Sequence, residues 1–270
     1  MQQQPLPSPS WLADPKLWIA LAALVQPWVI ALYKRFVLRG RLRVYEVGNI
    51  EIGFSSFGPT IGILGSLNAS QRDVFVKGAE IVVVREKDQA QAGFRWFVQR
   101  PFTWKTEGVH TEVQPASAIA VKKDSSVNFS TLFTLPGFAE EHAAVAGAFT
   151  TAWNESELSK ADTQDTAARL VLLSKFSEVS PTPAKLWEQM LGTFFWQPGD
   201  YTMTLSVLAE KPTPAFTKRW RFRLSADDTN LLKGNITMIV RTLAGIEADF
   251  KFAYPQYDGA KADEPRKKKA

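Results

Sequence analysis

Between Leu17 and Tyr33 the chain reads LWIALAALVQPWVIALY, seventeen residues without a charged group. As a helix this run is about 25 Å long, close to the hydrocarbon thickness of a bilayer, about 30 Å. Apolar side chains lie all round it and charges bracket it, so the run reads as a transmembrane anchor solvated by lipid. Asp14 and Pro15 suit a helix start: the carboxylate can accept from free backbone N–H groups, and proline at the first position gives up no hydrogen bond. Pro27 should kink the helix without ending it, and Gly40 is the expected stop. Trp18, Trp28 and Tyr33, with Trp11 ahead of them, are amphipathic rings suited to headgroup depth. A cleaved leader fits less well, because Met1 to Asp14 carries no basic residue and Lys34 and Arg35 follow the run in place of small residues. A buried core helix is the soluble alternative for an apolar run this short.

Lys34, Arg35, Arg39, Arg41 and Arg43 crowd the far side of the run, whereas only Lys16 precedes it. Such a flank belongs at a membrane surface and, by the positive-inside rule, puts the rest of the chain in the cytoplasm, as at a bacterial inner membrane. Membrane lipid is therefore the first expected partner. The chain of 270 residues holds 32 Lys and Arg against 27 Asp and Glu, a net charge of +5. Setting aside those five cations and the four of Arg266 to Lys269 leaves 23 basic against 27 acidic residues. The body is mildly acidic, which argues against nucleic acid as a partner. No cysteine is present, excluding disulfides, thiolate metal sites and cysteine nucleophiles, and two histidines leave little for metal or acid–base chemistry. Four sequons, at Asn68, Asn128, Asn154 and Asn235, matter only if the body faces a glycosylating lumen.

After the anchor the pattern turns to short β-rich runs: Val44 to Val47, Ile50 to Phe54, Thr60 to Leu67, Val74 to Lys77, Glu80 to Glu86 and Phe94 to Gln99. Alternation is clear from Asp73 to Lys77 and from Ile81 to Arg85, and an antiparallel meander is the economical arrangement. Further strands are expected at Ser117 to Lys122 and Val127 to Leu135, the latter ended by Pro136 and Gly137. Residues 139 to 175 read equally as helix or strand, and Ala184 to Leu191 as a helical turn or two. In FFWQPGDYTMTLSV, from Phe194 to Val207, a Pro-Gly-Asp turn feeds a strand with Tyr201, Met203, Leu205 and Val207 inward. Its partner, Phe216 to Leu224, sets aromatic residues on one face and Arg219, Arg221 and Arg223 on the other. Those arginines are either a solvated strand face or a contact for an anionic protein partner. Ser225 to Asp228 opens an amphipathic helix that should pack on the body and stop at Gly245. Phe250 to Tyr257 can dock by its aromatics, and Asp258 to Ala270 reads as a disordered tail. The chain thus divides into a tail and anchor with basic flank (1–43), a β-sandwich body with an irregular or helical insertion near 139–191 (44–225), a packed helix (226–245) and a basic tail (246–270).

A turn followed by Tyr201 and alternation resembles a late strand of immunoglobulin-like sandwiches, in which a tyrosine bonds back to the preceding corner. FGPTIGILGSLN from Phe57 to Asn68, followed by DVFVKGAEIVVVR from Asp73 to Arg85, resembles uncharacterised bacterial membrane-anchored proteins with such a body, and more distantly arrestin-like domains. The resemblance implies a mainly β, immunoglobulin-like or arrestin-like sandwich and carries over no ligand-binding residue.

Chemistry-bearing motifs are few. Gly53 to Gly58 lacks the spacing of a nucleophile elbow, and Gly58, Gly62 and Gly65 fit no phosphate loop, so close strand packing or turns explain them. The charge-free stretch from Ile52 to Gln71 could touch lipid, although its polar residues and proline oppose a spanning helix. Glu140, Glu141 and His142 form an acid–histidine group better read as surface than as a metal site. With no catalytic residue, cofactor or metal indicated, the expectation is a non-enzymatic single-pass membrane protein whose body binds a protein partner near the bilayer. A membrane-bound hydrolase or transferase, or an extracytoplasmic envelope protein, is the alternative.

Overall fold

The computed structural model describes residues 15–36, 41–100, 102–105, 108–111, 113–160, 165–209 and 214–258. Helix α1 (Pro15–Phe36) starts at the expected proline and continues through Pro27. All of its described side chains are exposed, among them Trp18, Leu24, Trp28 and Tyr33. It is therefore not the core helix of the soluble alternative. Among the described residues no helix is long and apolar enough to cross a membrane. The charge-free run of α1, about 25 Å long, is shorter than a hydrocarbon core of about 30 Å. Asp14, Arg39, Gly40 and the tail from residue 259 onward lie outside the described residues.

Strand β1 (Arg41–Ser55) folds back as β2 (Gly58–Ser70), with a register shift between Glu46 and Ile50. Strand β3 (Val74–Arg85) forms a hairpin with β4 (Gln91–Gln99). Short pieces follow: β5 (Phe102–Lys105) pairs β6 (Gly108–Thr111), β7 (Gln114–Pro115) pairs β4, and β8 (Ile119–Val121) pairs β3. Strand β9 (Ser126–Thr134) then runs between β2 and β4. Strands β10 (Gly199–Ala209), β11 (Pro214–Leu224) and β12 (Tyr257–Asp258) complete one antiparallel sheet in the order β1-β2-β9-β4-β3-β10-β11-β12.

Two expectations change here. The first six runs are four longer strands, because Gly78 sits within a continuous β3 and the shift after Glu46 bends β1 without ending it. They form no simple meander: β2 pairs β9, whose Phe129 and Phe133 face Gly65 and Ile61 across the ladder. In place of a two-sheet sandwich the ten-stranded main sheet curls nearly into a barrel, with β5 and β6 as a separate hairpin. The right-handed twist between neighbouring strands accumulates over strands this long and brings the two edges together. A short strap closes the gap. Ile52 of β1 exchanges both backbone hydrogen bonds with Ala253, at 2.8 and 2.9 Å, and a few residues later Tyr257 pairs Phe222 of β11. The aromatics of 250–257 thus dock as expected, and they do so between two sheet edges that would otherwise be open.

Residues 139 to 175, which read equally as helix or strand, carry α2 (Phe138–Glu155) and most of α3 (Thr166–Val179), and the helical turn or two expected at Ala184 to Leu191 is α4 (Thr182–Gly192). Helix α5 (Ala226–Leu243) begins at Ser225, where the expected capping box forms with Asp228, and buries Leu232, Ile236, Ile239 and Val240. Leu231, next to Leu232 on the same helix, is exposed. Helices α2, α4 and α5 pack together and α5 lies against β1. The shared core is strongly aromatic: Trp196 stacks on Phe94 at 5.8 Å and donates to the Gly53 carbonyl at 2.8 Å. Tyr201, Met203, Leu205 and Val207 all point inward. The Tyr201 hydroxyl accepts from the Gln197 N–H and donates to the Gln197 carbonyl, both at 2.7 Å, which is the predicted bond back to the corner.

Candidate functional site

The end of the sheet where β1 leaves α1 gathers cations from three separate segments. Arg43 projects outward beside the exposed ring of Tyr45. The β2–β3 turn carries exposed Arg72, and the first residues of β3 present Phe75 and Lys77 on the outer face. Lys122 and Lys123 follow β8, which lies beside β3 with Ala120 opposite Phe75. The Lys123 N–H donates to Asp73 at 2.7 Å and the Asp124 N–H to the Ala69 carbonyl at 2.8 Å, tying this turn to the β2–β3 turn and to the end of β2, whose Asn68 pairs with Arg43. Among the described side chains Arg43, Arg72, Lys77, Lys122 and Lys123 are opposed by Asp73 and Asp124, a surplus of three positive charges. Of the cations that follow the apolar run in the sequence, the side chains of Lys34, Arg35 and Arg41 lie outside the described residues, as does the whole of Arg39.

The arginine strand divides. Arg219, Arg221 and Arg223 are all exposed on β11, in register with Thr204, Thr202 and Asp200 of β10. Arg221, however, forms an ion pair with Glu86, whose other carboxylate oxygen accepts from Thr202 Oγ1 at 3.0 Å. That side chain serves the sheet, which leaves Arg219 and Arg223 as the candidates for an external contact.

A buried polar pair sits on the outer surface of β1 and β2. Arg100 donates Nη1 and Nη2 to the two oxygens of Glu51, at 2.9 and 3.1 Å. The guanidinium crosses β2 at Gly62, where a Cβ would lie 2.7 Å from Nη2. Tyr254 of the strap lies nearby, its phenol pKa raised by burial and then by the Glu51 charge. Phe252 fills the space beside Gly53, and most of the charge-free stretch from Ile52 to Gln71 is buried or half-buried, with Phe57 and Gln71 exposed. Sequence reading missed the pair because 49 residues separate its members; a lone acid inside the apolar run around Ile50 to Phe54 was the available signal.

His142 is not the surface residue expected. It is buried, stacks on Phe138 at 4.0 Å, and has its ring nitrogens 2.8 Å from the Phe138 carbonyl and 3.1 Å from Thr193 Oγ1. Among the described residues no group of three or more His, Asp or Glu side chains is placed to hold a metal. Asn235 is fully engaged with the backbone of Lys251, at 2.7 and 2.9 Å, so its sequon is closed to modification in the folded chain. A groove of about 780 Å³ runs along α5 between Leu231, Met238 and Arg241 on one side and Glu247 to Lys251 on the other. Lys251 pairs with Asp249 in its wall.

No family model, curated protein or solved structure matches the chain.

Proposed function

We propose that the protein is a non-enzymatic membrane tether: α1 embeds in lipid and holds the barrel-like body at the cytoplasmic surface of a bacterial inner membrane, where it binds a protein partner. The observation that carries this reading is the exposure of every described side chain of an apolar helix, nine of which are Leu, Ile, Val or Trp residues between 43 and 72% exposed. At about 25 cal/mol per Å² of apolar surface, such a helix gains far more from lipid than from water. Its short apolar length is accommodated by local thinning of the bilayer and by flanking Lys, Arg and aromatic side chains that reach the interface. The resemblance to membrane-anchored bacterial proteins implies the same arrangement.

The deciding experiment is fractionation. The full chain should remain with membranes through high-salt washing, and a chain lacking residues 1–40 should move to the soluble fraction; a truncated chain that stays in the membrane would overturn the single anchor. Arg219 and Arg223 are the proposed partner contact. A photo-crosslinker at exposed Thr217 should give one discrete adduct in membranes, lost when Arg219→Glu and Arg223→Glu are combined, whereas an adduct indifferent to that change would make the strand an ordinary solvated face.

A further inference from the structure

We propose that the rim formed by Arg43, Tyr45, the β2–β3 turn, the start of β3 and the Lys122–Lys123 turn is a docking surface for anionic lipid headgroups, so that the body lies against the bilayer and does not swing free on its anchor. The proposal rests on the membrane-tether reading and adds a second, electrostatic contact to it.

Position, charge and chemistry point to the same occupant. Four residues, 37–40, separate α1 from β1, and a link that short reaches about 18 Å when fully extended. The β1 end of the sheet is therefore held next to the lipid surface whenever α1 is embedded, while the β3–β4 turn at Lys87 lies the length of β3, about 40 Å, further along. The link lets the surplus cations come within a Debye length of that surface, about 8–10 Å, where each interacts favourably with phosphatidylserine or similar lipids. Tyr45 and Phe75, 51 and 42% exposed among those cations, have the amphipathic or apolar bodies that settle at headgroup depth. The opposite end shows no such bias: at the β3–β4 turn Lys87 is flanked by Glu86 and Asp88.

The chain has no cysteine, so a single introduced thiol labels one site. Full-length protein carrying Ala120→Cys, exposed opposite Phe75, is labelled with an environment-sensitive dye and placed in lipid nanodiscs of phosphatidylcholine alone or enriched in phosphatidylserine. The expected result is a blue shift in the phosphatidylserine discs only. Arg72→Glu with Lys122→Glu and Lys123→Glu should abolish it, as should about 0.5 M salt, which needs no variant to fold. A dye at Lys87→Cys should give the same emission in both discs. Equal emission from the Ala120→Cys label in the two lipids, or a shift that survives either charge reversal or salt, would overturn the proposal. If the chain fails to enter phosphatidylcholine discs, the anchor reading falls, and the same two-lipid comparison on vesicles still decides the rim.

Discussion

Tyr201 shows how one side chain can hold a corner. Its hydroxyl is both acceptor and donor to the Gln197 backbone, so Tyr201→Phe leaves a half-buried N–H and carbonyl without this partner and should cost about 1 kcal/mol, measured by denaturant unfolding. Close by, Arg85 donates to both oxygens of Asp88, at 2.9 and 2.7 Å, and to the Phe195 carbonyl. The guanidinium hydrogen bond holds the Asp88 carboxyl at about 2, below its ordinary 3.8. A folded pKa below the unfolded one means that this contribution is present above about pH 4 and is lost as pH falls through about 2. An NMR titration of the Asp88 side chain should show that low midpoint, and Arg85→Gln should return it to the usual carboxylate range. The Glu51–Arg100 pair is a different case because it is largely buried. Arg100→Met alone strands a carboxylate and should cost about 3 kcal/mol, whereas Glu51→Leu combined with Arg100→Met should cost clearly less, a coupling that a double-mutant cycle measures directly. Gly58 combines a φ of +81° with a Cβ position only 2.4 Å from the Phe138 ring, so Gly58→Ala is strained in the hairpin and blocked by α2.

At the level of elements, the strap of 250–258 is what finishes the sheet. A chain ending at residue 248 would leave β1 and β11 as open edges without the Ile52–Ala253 and Phe222–Tyr257 pairings, and should aggregate in size-exclusion chromatography where the intact chain does not. The capping box of α5 is legible in sequence and present in structure. Ser225→Ala should therefore cost about 1 kcal/mol in unfolding experiments. Strand placement was largely legible because alternation is a local property: β9, β10 and β11 fall within a residue or two of the runs that predict them. The helices α2 and α3 were not, since an alanine- and acid-rich stretch has a helical propensity that its weak amphipathic pattern does not confirm. Their place is settled by Phe149, Trp153 and Phe176, which meet edge to face in the core.

For the whole molecule, the tether reading makes a topological prediction. Lys87→Cys, exposed at the β3–β4 turn, should react with a membrane-impermeant maleimide only after intact cells are opened; labelling in intact cells would put the body on the outer side. The charge-free helix, the β-rich body, the inward set of β10 and the cap of α5 could all be read from the order of residues, because hydrophobic period and backbone capping act over a few positions. Which strands become neighbours, how the sheet curls and is strapped shut, and which distant cations share a rim could not. Pairing β9 with β2, joining Glu51 to Arg100 and drawing Lys123 to Asp73 depend on twist and burial summed over the entire sheet, and no short window of sequence contains that sum.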